Sequence, residues 1–100
     1  MQFVWVYYHN GAKFDEIRWS IRSVEANYNG PVQITIAGDR PPWYRGHHIP
    51  VKRVGGPNAF RSFRDSFNKL HTAANHPEVA EEFVWMMDDV YLVNQVNRAD

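Results

Sequence analysis

The sequence predicts an α/β domain with an open, mostly parallel sheet of about four strands flanked by helices. Three observations predict it. Runs of β-branched and aromatic residues alternate with segments whose apolar residues recur at helical spacing. Gly and Pro punctuate the joints between them. The chain of 100 residues allows one small domain, taken here as residues 1–100.

Residues 2–8 (QFVWVYY) form an unbroken run that fits a strand buried on both faces. Residues 9–13 read as a loop turning at Gly11. Phe14, Ile17, Ile21, Val24 and Tyr28 then mark one face of a helix. Asp15 and Glu16 lie near its start, where the helix dipole favours negative charge. Asn29-Gly30-Pro31 is a strong stop. Residues 32–37 (VQITIA) predict a second strand, ended by GDRPPW. Residues 44–50 read as a loop carrying His47 and His48, and residues 49–54 as a short strand that Pro50 assigns to a sheet edge.

Gly55-Gly56-Pro57 is the next break, after which Asn58 can cap a second helix. The spacing gives that helix an apolar face of Phe60, Phe63, Phe67, Leu70 and Ala74. Arg61, Arg64, Asp65 and Asn68 fall mostly elsewhere on it. Residues 83–87 predict a strand, residues 91–93 begin a shorter one, and the tail is polar. The order is Rossmann-like, with helices expected on both sides of the sheet.

Composition narrows the function. Formal net charge is zero, which argues against broad electrostatic binding of nucleic acid. There is no cysteine, so disulfides and thiolate metal sites are excluded, and the expected compartment is the cytoplasm. MQFVWVYYHN lacks the charged region and cleavage site of a signal peptide, and no apolar run reaches the ~20 residues that span a bilayer. Fifteen aromatic residues in 100 exceed what one small core requires. Together with an exposed final strand, they are compatible with a homo-oligomer.

The chemistry concentrates at EEFVWMMDDVYLV, residues 81–93. Asp88 and Asp89 interrupt an apolar stretch, where two carboxylates cost desolvation energy unless something offsets it. In a parallel sheet, ligands bind beyond the carboxyl ends of the strands. Three polar clusters are expected there: His9-Asn10, Asp39-Arg40 and Asp88-Asp89. Adjacent carboxylates at a strand end suit Mg²⁺ or Mn²⁺, hard cations that substrate phosphates commonly complete. The competing reading is a solvated turn. His47 and His48 would point in opposite directions as neighbours and read as an exposed loop. Trp5 and Trp85 read as core, and Trp43 as an anchor for its loop. There is no P-loop, no Gly-x-Gly-x-x-Gly fingerprint and no Gly-x-Ser-x-Gly elbow.

Three segments also resemble the nucleotide-sugar-binding half of GT-A glycosyltransferases, and within them the Stealth-type sugar-phosphate transferases. FDEIRWSIRSVEANYNGPVQITIAGDRPPW (14–43) is similar to their helix-strand unit leading to an acidic loop and "PPW". NAFRSFRDSFNKLH (58–71) is similar to the helix before the metal site, and FVWMMDDVYLV (83–93) to the strand that ends in the acidic motif. The resemblance implies a metal-dependent glycosyltransferase, or its donor-binding portion, moving a glycosyl or sugar-phosphate group to an unknown acceptor. It implies a divalent cation, Mn²⁺ or Mg²⁺, on Asp88 and Asp89, with Asp89 the more direct ligand. Tyr8, His9 and Asp39 match positions at the nucleotide-sugar, Arg64 and Asp65 match helix positions that approach the nucleotide or brace the site, and Arg61 is a further candidate on that helix. The acidic motif is commonly Asp-x-Asp; here Met87 stands two residues before Asp89. The acceptor half of such enzymes is not evident in these residues, so no catalytic residue is assigned. The alternatives are a non-catalytic interaction or weak nucleotide-binding module, and a nuclease-like metal site.

Overall fold

A computed structural model describes residues 1–8, 16–52, 61–87, 90–92 and 96–97; the side chains of 61–64 and 96–97 lie outside the description. The elements run β1 (Gln2–Tyr7), α1 (Glu16–Asn27), β2 (Tyr28–Asn29), β3 (Gln33–Gly38), β4 (His47–Pro50), α2 (Arg61–Ala74), β5 (Phe83–Met86) and β6 (Val96–Asn97). The result is a small α/β domain. Its main sheet has the order β4-β3-β1-β5, and all of its strand pairs are parallel. A separate two-stranded ribbon pairs β2 with β6.

The central position of β1 explains its sequence. Every residue from Gln2 to Tyr7 is buried, because both edges are paired and both faces are covered. Alternate residues serve different layers. Phe3, Trp5 and Tyr7 pack with Ile36 and Met86 against Ile17, Ile21 and Val24 of α1. Val4 packs with Ala37 and Ile49 against Ala73 of α2. One helix therefore lies on each face, as the sequence predicts.

The chain passes from β3 to the parallel strand β4 without a helix. A parallel connection usually uses one. Here Tyr44 does the covering. Its ring is buried in the core under α1, and its hydroxyl lies 3.1 Å from Ile34 O and 2.8 Å from His47 O. Burial pushes the Tyr44 hydroxyl up to about 12 from its ordinary 10.0. Because the folded value lies above the unfolded one, this contribution to stability is complete below pH 10.0 and is lost as pH rises to about 12. Alkaline unfolding is therefore expected to coincide with tyrosinate absorbance appearing in that window. Tyr44→Phe should remove that component; an identical profile in the variant would assign the transition to another group.

Four expectations change. Tyr91 and Leu92, expected to begin a short strand, carry none, because the Leu92 backbone is bonded to Ser23 and Asn27 of α1 and not to a sheet edge. The edge strand β4 begins at His47, two residues before its predicted start, because the Tyr44 anchor brings the chain back to β3 sooner. Trp85, expected in the core, is 41% exposed, since β5 is an edge strand and not a central one. The largest change is the face of α2. Asp65, Lys69 and Ala73 are buried, whereas Phe67 is 47% exposed, Ala74 is exposed and Leu70 is half-buried. Phe67 meets Trp85 edge-on at 6.3 Å instead of entering the core.

Candidate functional site at the carboxyl edge

The direction of winding places the candidate site. From β1 the chain moves outward to β3 and β4, then returns to the other side of β1 as β5. The reversal makes the carboxyl ends of β1 and β5 a topological switch point, the kind of position where open α/β sheets bind ligands.

Tyr8 follows β1 and Asp39 follows β3, and the backbone brings the two strand ends together. The Asp39 N–H donates to Tyr7 O at 3.0 Å, extending the β1·β3 pairing past the last ladder residue. Both Tyr8 and Asp39 are half-buried. Beside them lies an open cleft of about 410 Å³, lined by Gly38, Asp39, Arg40, His48, Pro50 and Lys52 among others. His48 is held there by a 2.7 Å contact between Nε2 and Gly38 O. The cleft mixes a carboxylate with two cationic side chains and an imidazole, a set able to bind an anion and orient a hydroxyl-rich group.

Asp65 reaches the same edge indirectly. Its carboxylate accepts a hydrogen bond from Lys69 Nζ one helical turn on. The Lys69 ammonium lies 5.3 Å from the Tyr8 ring centroid, and its stem passes over Gly38. Asp65 and Lys69 are each 2% exposed. The structure therefore makes Asp65 a brace beneath the edge. Of the remaining predicted residues, His9, Asp88, Asp89 and the side chains of Arg61 and Arg64 lie outside the described residues.

The flanks of the acidic pair are described, and they are anchored. Val90 N–H donates to Met87 O at 3.1 Å. The buried hydroxyl of Ser20 donates to Val90 O and lies 3.4 Å from Met87 O. Trp5 Nε1 donates to the same Ser20 oxygen at 2.9 Å. Further along, Leu92 N donates to Ser23 Oγ at 3.0 Å, and Asn27 Nδ2 donates to Leu92 O at 2.8 Å. The segment leaving β5 is thus laced along α1 by Ser20, Ser23 and Asn27. Ser20 lies between Ile17, Ile21 and Val24 on the helical stripe, so its burial was legible; its partners were not.

Trp43 is half-buried against the core with the Arg18 guanidinium 4.6 Å from its ring centroid, in keeping with its reading as a loop anchor. Among the described residues, no helix is long and apolar enough to cross a membrane. No family model matches this chain, and no curated protein or solved structure matches it.

Proposed function

We propose that this domain binds a nucleotide-sugar at the carboxyl edge of its sheet, with the diphosphate carried on a divalent ion held by Asp88 and Asp89. On this reading the sheet is the Rossmann-like, donor-binding half of a GT-A architecture. The parent activity is then transfer of a glycosyl or sugar-phosphate group. The observation that carries the reading is the strand order. The chain reverses between β1 and β5, and in sequence the acidic pair follows soon after β5 at that switch point.

The chemistry is consistent with it. Mn²⁺ or Mg²⁺ accepts carboxylate and phosphate oxygens together, neutralising the leaving diphosphate. Asp39, Arg40, His48 and Lys52 supply polar groups for the nucleoside or sugar beside it. The Ser20 anchor on Met87 and Val90 limits how far the flanks of the acidic pair can shift when a cation is bound.

A second reading has its own observation. Trp19, Phe67 and Trp85 expose large apolar surface, as an interaction module would. A thermal-shift titration with nucleoside diphosphates and nucleotide-sugars, each with Mn²⁺, Mg²⁺ or EDTA, separates the two. Donor binding predicts a rise in Tm that needs both metal and one class of diphosphate. Asp88→Ala/Asp89→Ala should abolish that rise while the variant stays folded. A folded wild-type domain that responds to no ligand would favour the interaction module.

A further inference from the structure

At the opposite, amino edge of the sheet, three metal-ligating side chains from two separate segments meet. His47 opens the edge strand β4, while His76 and Glu78 lie in the turn after α2. One ligand atom from each falls within 4.8 Å of the others. His47 Nε2 is 2.5 Å from Glu78 Oε2, and the two imidazole centroids are 6.0 Å apart. We propose that His47, His76 and Glu78 form a binding site for a borderline divalent transition cation of the Zn²⁺ class, which clips the turn after α2 to strand β4.

The donor set selects that class. Two imidazoles and one carboxylate suit Zn²⁺, leaving a fourth position for water; Mg²⁺ prefers a shell of oxygens. The site is therefore chemically distinct from the acidic pair that follows β5 in sequence, and it does not depend on the function proposed for that pair.

A buried polar frame supports both halves of the cluster. Thr35 Oγ1 lies 2.9 Å from His47 Nδ1 and accepts a hydrogen bond from Gln2 Nε2 at 3.0 Å. The other end of the Gln2 amide accepts from Ala80 N at 2.8 Å. Gln2 and Thr35 are both buried. One side chain, Gln2, thus holds the His47 ring through Thr35 and also the segment carrying His76 and Glu78. Such outer-shell partners orient a metal-binding imidazole through its second nitrogen. The turn itself is closed by His76 N donating to Ala73 O and Val79 N to His76 O, each at 3.0 Å.

The adjustment needed is at most about 1.4 Å for any pair, since the three ligand atoms already lie within 4.8 Å of one another. Two ligands of a tetrahedral Zn²⁺ at about 2.0–2.1 Å sit roughly 3.4 Å apart. His47 and Glu78 must separate slightly to admit the ion, and Glu78, two-thirds exposed, is free to swing. Metal binding displaces the proton that now joins His47 Nε2 to the Glu78 carboxylate, either to His47 Nδ1 or to solvent, and His76 gives up the Glu78 N–H that its Nδ1 accepts at 3.1 Å, freeing a ring nitrogen for the ion.

The test is isothermal titration of the whole chain with Zn²⁺, with Mg²⁺ as control and histidine side-chain NMR to identify the rings. One equivalent of Zn²⁺ should bind, shift the His47 and His76 ring signals, and bind at least tenfold more weakly to His76→Ala and Glu78→Gln. Asp88→Ala/Asp89→Ala should retain full Zn²⁺ affinity. Both single substitutions are at partly or fully exposed positions, and circular dichroism checks that each variant is folded. Unchanged affinity in the folded variants, ring shifts at other histidines, or no Zn²⁺ binding would each overturn the assignment.

Discussion

Asp65→Ala is expected to destabilise the domain by about 3–5 kcal/mol, the usual cost of breaking a buried ion pair from one side. The substitution leaves the Lys69 ammonium in a position that is 2% exposed, without the carboxylate that now faces it. For a small domain, whose whole stability is about 5–15 kcal/mol, that is a large share. Replacing both charges, as Asp65→Leu/Lys69→Met, should recover most of the loss, because an apolar pair of similar volume carries no desolvation cost. Urea unfolding followed by circular dichroism measures both. A loss under about 1 kcal/mol for Asp65→Ala would mean that water reaches the pair and that its brace role is wrong. The same experiment bears on the carboxyl edge, since the Lys69 stem packs over Gly38 and its ammonium lies 5.3 Å from the Tyr8 ring centroid.

Gly38→Ala should cost about 2–5 kcal/mol, from two independent sources. Gly38 has φ +118°, where a side chain strains the backbone. A Cβ there would also lie 2.3 Å from Tyr7 O and 2.7 Å from Lys69 Cε. The lysine could move only by disturbing its pair with Asp65. The Tyr7 carbonyl is less free still, because it accepts the Asp39 N–H that joins the ends of β1 and β3. In a domain of this length such a loss lowers Tm by roughly 10–20 °C or more, which differential scanning calorimetry resolves. Retention of wild-type Tm would show that the β1·β3 end opens at little cost. The edge proposed for ligand binding would then be poorly preorganised.

Both predictions concern the place where reading the sequence met its limit. Periodicity identifies α2 but selects the stripe through Phe67, Leu70 and Ala74 as its buried face. That inference treats each residue's polarity as its destination. A charged pair one turn apart can instead bury itself when the opposite surface leaves room and each charge satisfies the other. Gly38 provides the room, but only once β3 lies under the helix. The spacing of Asp65 and Lys69 was visible in the sequence; the cavity that accepts them was not. The same limit explains Trp85: strand content marked it as core, and only the order of strands made β5 an edge.

The histidines show a similar contrast. Adjacent histidines were expected to point apart, and they do: His47 meets Thr35 and Glu78, and His48 meets Gly38. Their placement in a loop was not retained, because Tyr44 returns the chain early to the sheet. Glu78 lies 31 residues from His47, a separation at which no local pattern could join them.

The sequence by itself determined the class of fold, the fully buried first strand, the stripe Ile17, Ile21 and Val24, and the position of Asp39-Arg40 after the carboxyl end of its strand. Each follows from short-range periodicity or from the direction of successive parallel strands. The tertiary structure alone decided which face of α2 is buried, which strands are edges, how Ser20 anchors the residues flanking the acidic pair, and which distant side chains meet His47. These depend on contacts between segments far apart in the chain, whose free energy is set by the shape of the opposing surface and by mutual satisfaction of buried polar groups.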